Sequence, residues 1–399
     1  MNRVLEPLAQ HRALVDWLKN HERAVWDWYA DAERRTQDAE AVRLSLLRDT
    51  YRMDAEGHPE LFAEIAAAKV SLGLEAVQVF AYQAQGDSRL NAAVCYLPGE
   101  AHLIFSGPIL TLLSPEELRA VIGHELAHYL LWQMEGGEFY LADRILHHAA
   151  DHPNAEPSHT QSVRLWALAT ELFADRGALL ATGTIETTVA TLVKIATGLS
   201  QVSGKSYLAQ ADEIFSKSKP RTEQLTHPET FMRARALRLW ADKDEELEAS
   251  IAKMIEEDEG LDALDLVQQV RLTKLTRRFL QHHLSPAWFR SEAVMAHVRL
   301  YFPDFAPLKD PDTELVDELA GLSKARREYL CNVMLDFCAV DPGLEDMPMA
   351  AAIEQARDLE CLSHFEKVAT KELKLKAKDL KRLKEKAAGM LATANLAHS

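Results

Sequence analysis

The sequence predicts an α+β fold, mostly helical: a small antiparallel sheet set among helices, then an all-helical C-terminal domain. Three observations predict it. Strand-like alternation is confined to residues 76–106. Around that stretch apolar residues recur at helical spacing, and helix starts are explicit, as at Ser114-Pro115-Glu116-Glu117. Beyond residue 242 no strand pattern occurs. The division that follows is an N-terminal helical extension over 1–55, a central domain over 56–242, and a helical C-terminal domain over 243–399 that ends in a basic helix.

Taken in order, residues 1 to about 55 read as two helices whose Trp17, Trp26, Trp28 and Tyr29 are packing residues. Pro59 to Leu72 is an amphipathic helix stopped by Gly73. Ala76 to Gln83 alternates around Val77, Val79 and Ala81 and reads as a strand. Asn91 to Leu97 and His102 to Ser106 are two more, joined around Pro98-Gly99. A helix then runs from about Pro115 to Trp132. Ser114 caps it, Pro115 suits its first position, and Glu117 completes a capping box.

That helix carries His124-Glu125-Leu126-Ala127-His128, an H-E-x-x-H pattern. His124 and His128 project from one face, which they share with Ala120, Val121, Ala127 and Leu131. Two imidazoles on an apolar face need a partner, and zinc suits this spacing. Glu125, about 100° round the helix, reaches a metal-bound water without being a ligand. The next helix, about Ser162 to Ala181, carries Glu171 and Asp175 four residues apart on another apolar face. Buried carboxylates call for a cation. Glu171 is therefore the expected third ligand, with the fourth position left to water. Asp175 is expected to accept a hydrogen bond from a ligand imidazole and so fix its tautomer.

These residues resemble the gluzincin zinc metallopeptidases of the CAAX prenyl protease and HtpX type, metallopeptidase family forty-eight. Asn91-Ala92-Ala93 stands where that family has an N-A dipeptide on a substrate-binding edge strand, and Val94 continues it. Ile109 to Leu113 and Glu117 to Val121 are similar to its approach to the zinc helix. His227-Pro228, with Arg233 six residues after the histidine, resembles its H-P-x-x-x-x-R motif. The resemblance covers roughly Pro59 to Leu237. It implies a zincin-like core, one zinc ion per chain, and hydrolysis of peptide bonds in a peptide or protein substrate with Glu125 as base. It also implies that His227 comes close to the metal, either stabilising an oxyanion or occupying the open position. From its own residues, Thr226-His227-Pro228 reads equally as a plain helix start.

Composition bounds the rest. An apolar content of 47% over 399 residues permits a large core. A net charge of −16 argues against nucleic acid as the main partner. The four cysteines are too few and scattered for a disulfide framework. Met1 to Asn20 has no apolar signal region, and no run reaches 18 apolar residues. The expectation is therefore a soluble, cytoplasmic variant without a transmembrane segment, a departure from many members of the family. Gln133 to Thr160 is acidic and rich in histidine, with His147, His148, His152 and His159, and reads as a solvated lid or a second metal site.

The charged run from Asp242 to Asp258 marks the expected domain boundary. Arg326 to Glu360, two helices around Val340 to Glu345, is faintly similar to the TerB-type helical module and also fits an ordinary helical hairpin. The last 33 residues hold nine Lys/Arg against three Asp/Glu, with Leu373, Leu380 and Leu383 as an apolar stripe. Such a helix suits a partner protein, a membrane surface, or its own acidic body. The rival functions are a zinc-binding scaffold, or a latent peptidase whose helical C-terminal domain recruits partners.

Overall fold

The computed structural model describes residues 4–86, 89–217, 228–255, 261, 264–308 and 312–397. The chain forms two compact units, Met1–Glu257 with Asp265–Val267, and Asp258–Leu264 with Gln268–Ser399.

The first unit is helical around one four-stranded sheet, so the α+β, mostly helical class holds. The strands are β1 (Thr50–Met53), β2 (Gln78–Ala84), β3 (Asn91–Leu97) and β4 (Glu100–Ser106), in spatial order β1-β2-β4-β3. The sheet is mixed rather than wholly antiparallel. β3 and β4 form the expected hairpin, with Asn91 opposite Ser106 and Leu97 opposite Glu100. The second strand of that hairpin docks on β2, and so runs parallel to it. β3 is thereby left at an edge. β1 comes from the N-terminal stretch and pairs antiparallel with β2, Met53 opposite Ala81.

Ala101, Leu103 and Phe105 of β4 are fully buried and join one core with Leu14 and Leu18 of the helix Ala9–His21. The same core takes Ile122, Leu126 and Leu131 from the histidine helix and Trp166, Leu168 and Phe173 from the carboxylate helix. The expected lid is in large part a helix, Glu138–Asp151, and its Phe139, Ala142, Ile145 and Leu146 sit in this core. Their spacing is helical, and burying that stripe outweighs the polar histidines His147 and His148 that follow it.

The second unit is all helical among the described residues. Its terminal helix, Ala377–Ala397, buries Leu380, Leu383 and Ala387 against Phe365, Ile353 and their neighbours. The apolar stripe that sequence alone offered to a membrane or partner thus packs on its own unit. Asp341 accepts from Gly343 N at 2.8 Å and caps a short turn at Pro342–Leu344 between helices Lys324–Leu335 and Met347–Asp358.

Candidate active site

Two long helices of the first unit build the site, Pro115–Gln133 and Pro157–Thr182. The first begins as expected: Ser114 Oγ accepts from Glu117 N, and Glu117 Oε2 accepts from Ser114 N at 2.9 Å. Glu117 also pairs with buried Lys194 at 2.7 Å, tying the helix start to the helix Ile185–Thr197.

The two long helices meet at glycines. A Cβ on Gly123 would lie 2.4 Å from Ala181 Cβ, and one on Gly177 would lie 2.3 Å from Ala127 Cβ. Only hydrogen at both positions permits this approach. Gly123 directly precedes His124, and Gly177 lies two residues past Asp175, so the crossing sets how far apart the functional side chains stand.

There, three donor atoms converge. His124 Nε2 lies 3.1 Å from His128 Nε2 and 3.7 Å from Glu171 Oε2, and His128 Nε2 lies 3.6 Å from Glu171 Oε1. Among the described residues, His124, His128 and Glu171 form the group whose ligand atoms, all within 4.8 Å of one another, could hold a metal ion.

Asp175 is fully buried beside them. Its Oδ1 accepts from His124 Nδ1 at 3.1 Å. Arg233, on the helix Thr230–Asp242, donates to both carboxylate oxygens, Nε to Oδ2 at 2.8 Å and Nη2 to Oδ1 at 2.6 Å. Arg233 Nη2 also lies 3.4 Å from Glu171 Oε2. Burial would raise the pKa of Asp175, but Arg233 and then His124 outweigh it and hold the carboxyl below its usual range. Likewise burial would lower His124, but Asp175 and Glu171 raise it.

The donor set fits zinc. A carboxylate can only accept, so His124 carries a proton on Nδ1 and presents Nε2 to the cluster as the nitrogen that would ligate a metal. Burial, then His124, pushes the pKa of His128 down to about 3, so this imidazole is neutral. Two imidazole nitrogens and a carboxylate oxygen are the three-ligand set of catalytic zinc sites, which keep a fourth position open. His128 Nδ1 is buried with no hydrogen-bond partner among the described residues, and its ring stacks on Trp132 at 5.7 Å and 27°.

Glu125 stands off the ligand face, buried, and its carboxyl takes a hydrogen bond from the backbone of Val94 on β3. Burial pushes its pKa up to about 7, aided by Glu171 and opposed by His124, Arg233 and the Val94 bond. Asn91, Ala92, Ala93 and Val94 line one cleft of about 560 Å³ together with His124, Glu125, His128, Glu171 and Arg233. Thr188, Thr191, Leu192 and Ile195 form another wall. His227 lies outside the described residues.

Sequence reasoning did not give Arg233 or Trp132 a role. Arg233 had a signal, the R of the H-P-x-x-x-x-R pattern. Trp132 had one as well, since it follows His128 by one helical turn.

Residues 58–134 match the model of Peptidase family M48. The match takes in β2, β3, β4 and the histidine helix, and supports that metallopeptidase family. It stops before Glu171. No curated protein and no solved structure matches the chain. Among the described residues, no helix is long and apolar enough to cross a membrane.

Proposed function

We propose that this chain is a zinc-dependent endopeptidase, a gluzincin close to the CAAX prenyl protease and HtpX type. One observation carries the reading: a two-histidine, one-carboxylate cluster shares a cleft with a buried non-ligand Glu125 that is bonded to an edge strand. His124, His128 and Glu171 hold one zinc ion, which when bound polarises the scissile carbonyl and lowers the pKa of its water.

The chain's own residues do the rest. Asp175 fixes the His124 tautomer, and Arg233 neutralises Asp175 and faces Glu171. Asn91 to Val94 pair with the substrate backbone as an added strand. Glu125 takes a proton from the attacking water and passes it to the leaving amine. His227 remains assigned by resemblance, to the oxyanion or to the open position. A cytoplasmic location accords with the four cysteines, all free thiols. The helical C-terminal domain, TerB-like or not, is the part that recruits substrate or a regulator.

The test is an unfolded protein incubated with the zinc-loaded chain. Internal cleavage that a chelator stops and added zinc restores is expected. Intact substrate beside a fully zinc-loaded chain contradicts the reading and favours a scaffold.

A further inference from the structure

We propose that a second chamber beside the metal cluster binds an aromatic side chain of the substrate and so sets cleavage specificity; the inference rests on the peptidase reading. β3 runs from the cluster's cleft into this chamber. The chamber is about 590 Å³, and its walls include Cys95, Tyr96, Trp132, Tyr140 and Arg144. Val94, Trp132 and Asp143 line both spaces, so the two are neighbours along β3.

The walls suit a flat apolar group. Tyr96 packs on Tyr140 with ring centres 4.5 Å apart, Trp132 lies 6.2 Å from Tyr96, and Trp132 and Tyr140 are 6.3 Å apart. Inclined rings at these spacings offer edge and face contacts to a further ring. The Arg144 guanidinium lies over Tyr140 at 5.9 Å, where it can also face an incoming ring. Ala39, Ala41 and Val42 close the far side from the helix Ala32–Asp49. Arg43 of that helix holds Glu100 of β4 through two bonds, at 3.0 and 3.1 Å.

Strand geometry places the side chain. Val94, bonded to Glu125, marks the reacting position, and Tyr96 lies two residues on, about 7 Å along the strand. A peptide paired with β3 presents side chains to one side every second residue. The side chain two residues from the one beside the cluster therefore faces the Tyr96 chamber. Asp143, at the junction of the two spaces, disfavours an acidic side chain there. Residues 39–42 and 136–144 of these walls fall outside the stretch that matches the family model.

The test uses a ten-residue peptide of small residues with one Phe walked through it, against the frame without Phe. Two quantities are read for each: kcat/KM on the zinc-loaded wild type, and Kd on the zinc-loaded Glu125→Gln variant. Phe at one position should improve both at least tenfold. Tyr140→Ala, and independently Ala41→Trp, which fills the chamber, should bring the ratio of Phe to frame to within about threefold. Equal handling of all peptides by wild type overturns the proposal, as does a Phe preference that survives both substitutions. Cleavage without preference removes the chamber's role and leaves the peptidase reading standing. Preference in Kd without any cleavage does the reverse.

Discussion

Gly123 and Gly177 face each other where the two site-bearing helices cross: a Cβ on Gly177 would lie 2.9 Å from Gly123 O and 2.3 Å from Ala127 Cβ. The three-donor cluster depends on that approach, because His124 and Asp175 sit beside the two glycines and bond each other across the crossing at 3.1 Å.

Gly177→Ala should therefore separate the helices. The expected outcome is a loss of about 1–3 kcal/mol of stability from overpacking, with zinc affinity lowered at least tenfold. Gly389→Ala is the control, since a Cβ there meets nothing within 4 Å. It should be neutral or stabilise by up to about 1 kcal/mol. Urea unfolding and elemental zinc analysis read both. Full zinc in a stable Gly177→Ala protein contradicts the crossing's role.

The ligand set is read by metal content. His128→Ala and Glu171→Ala should each leave little tightly bound zinc, since each removes one of three ligands. Full occupancy in both variants would show that the ion binds elsewhere.

Asp175 carries both the imidazole and the guanidinium. Its loss should lower zinc affinity or activity about 10–100-fold. Asp175→Asn should be milder than Asp175→Ala, because the amide oxygen still accepts from His124 Nδ1. Competition with a zinc chelator ranks the three proteins; equal affinities would return Asp175 to a purely structural part.

In the second unit His283 is buried, lies flat against Phe279, and has its pKa pushed down to about 3 by burial and then His282. The sign follows from the free value of 6.5. Between the two pKa values the unfolded chain takes up a proton that the folded chain refuses. The contribution of neutral His283 is thus full above about pH 6.5 and lost as pH falls toward about 3. His283→Leu should lose less stability than wild type between pH 7.5 and pH 5, in urea unfolding followed on this unit. Identical losses would mean that the imidazole is protonated in the folded state.

Much of the site was legible because it is local. The capping box at Ser114, the pairs His124/His128 and Glu171/Asp175, and the apolar faces that carry them all repeat within a helical turn. The edge strand at Asn91 was legible as a strand, but its place in a mixed sheet was not. The pairing of β2 with β4 is decided by contacts between distant stretches. β1 has only the four residues Thr50 to Met53, too short for a pattern. The helix at Glu138–Asp151 was readable from Phe139, Ala142, Ile145 and Leu146, yet Gly136-Gly137 and the histidines suggested a lid. The bonds from Arg233 to Asp175 and from Val94 to Glu125 join segments far apart in sequence, and only the folded chain supplies them.

Glu125→Gln tests the central claim most directly. The variant should keep the fold and one zinc per chain by elemental analysis, because no ligand changes. Its rate on an unfolded protein substrate should drop by about 10²–10⁴-fold, the worth of a positioned general base. Activity within tenfold of wild type, with zinc retained, would contradict the mechanism.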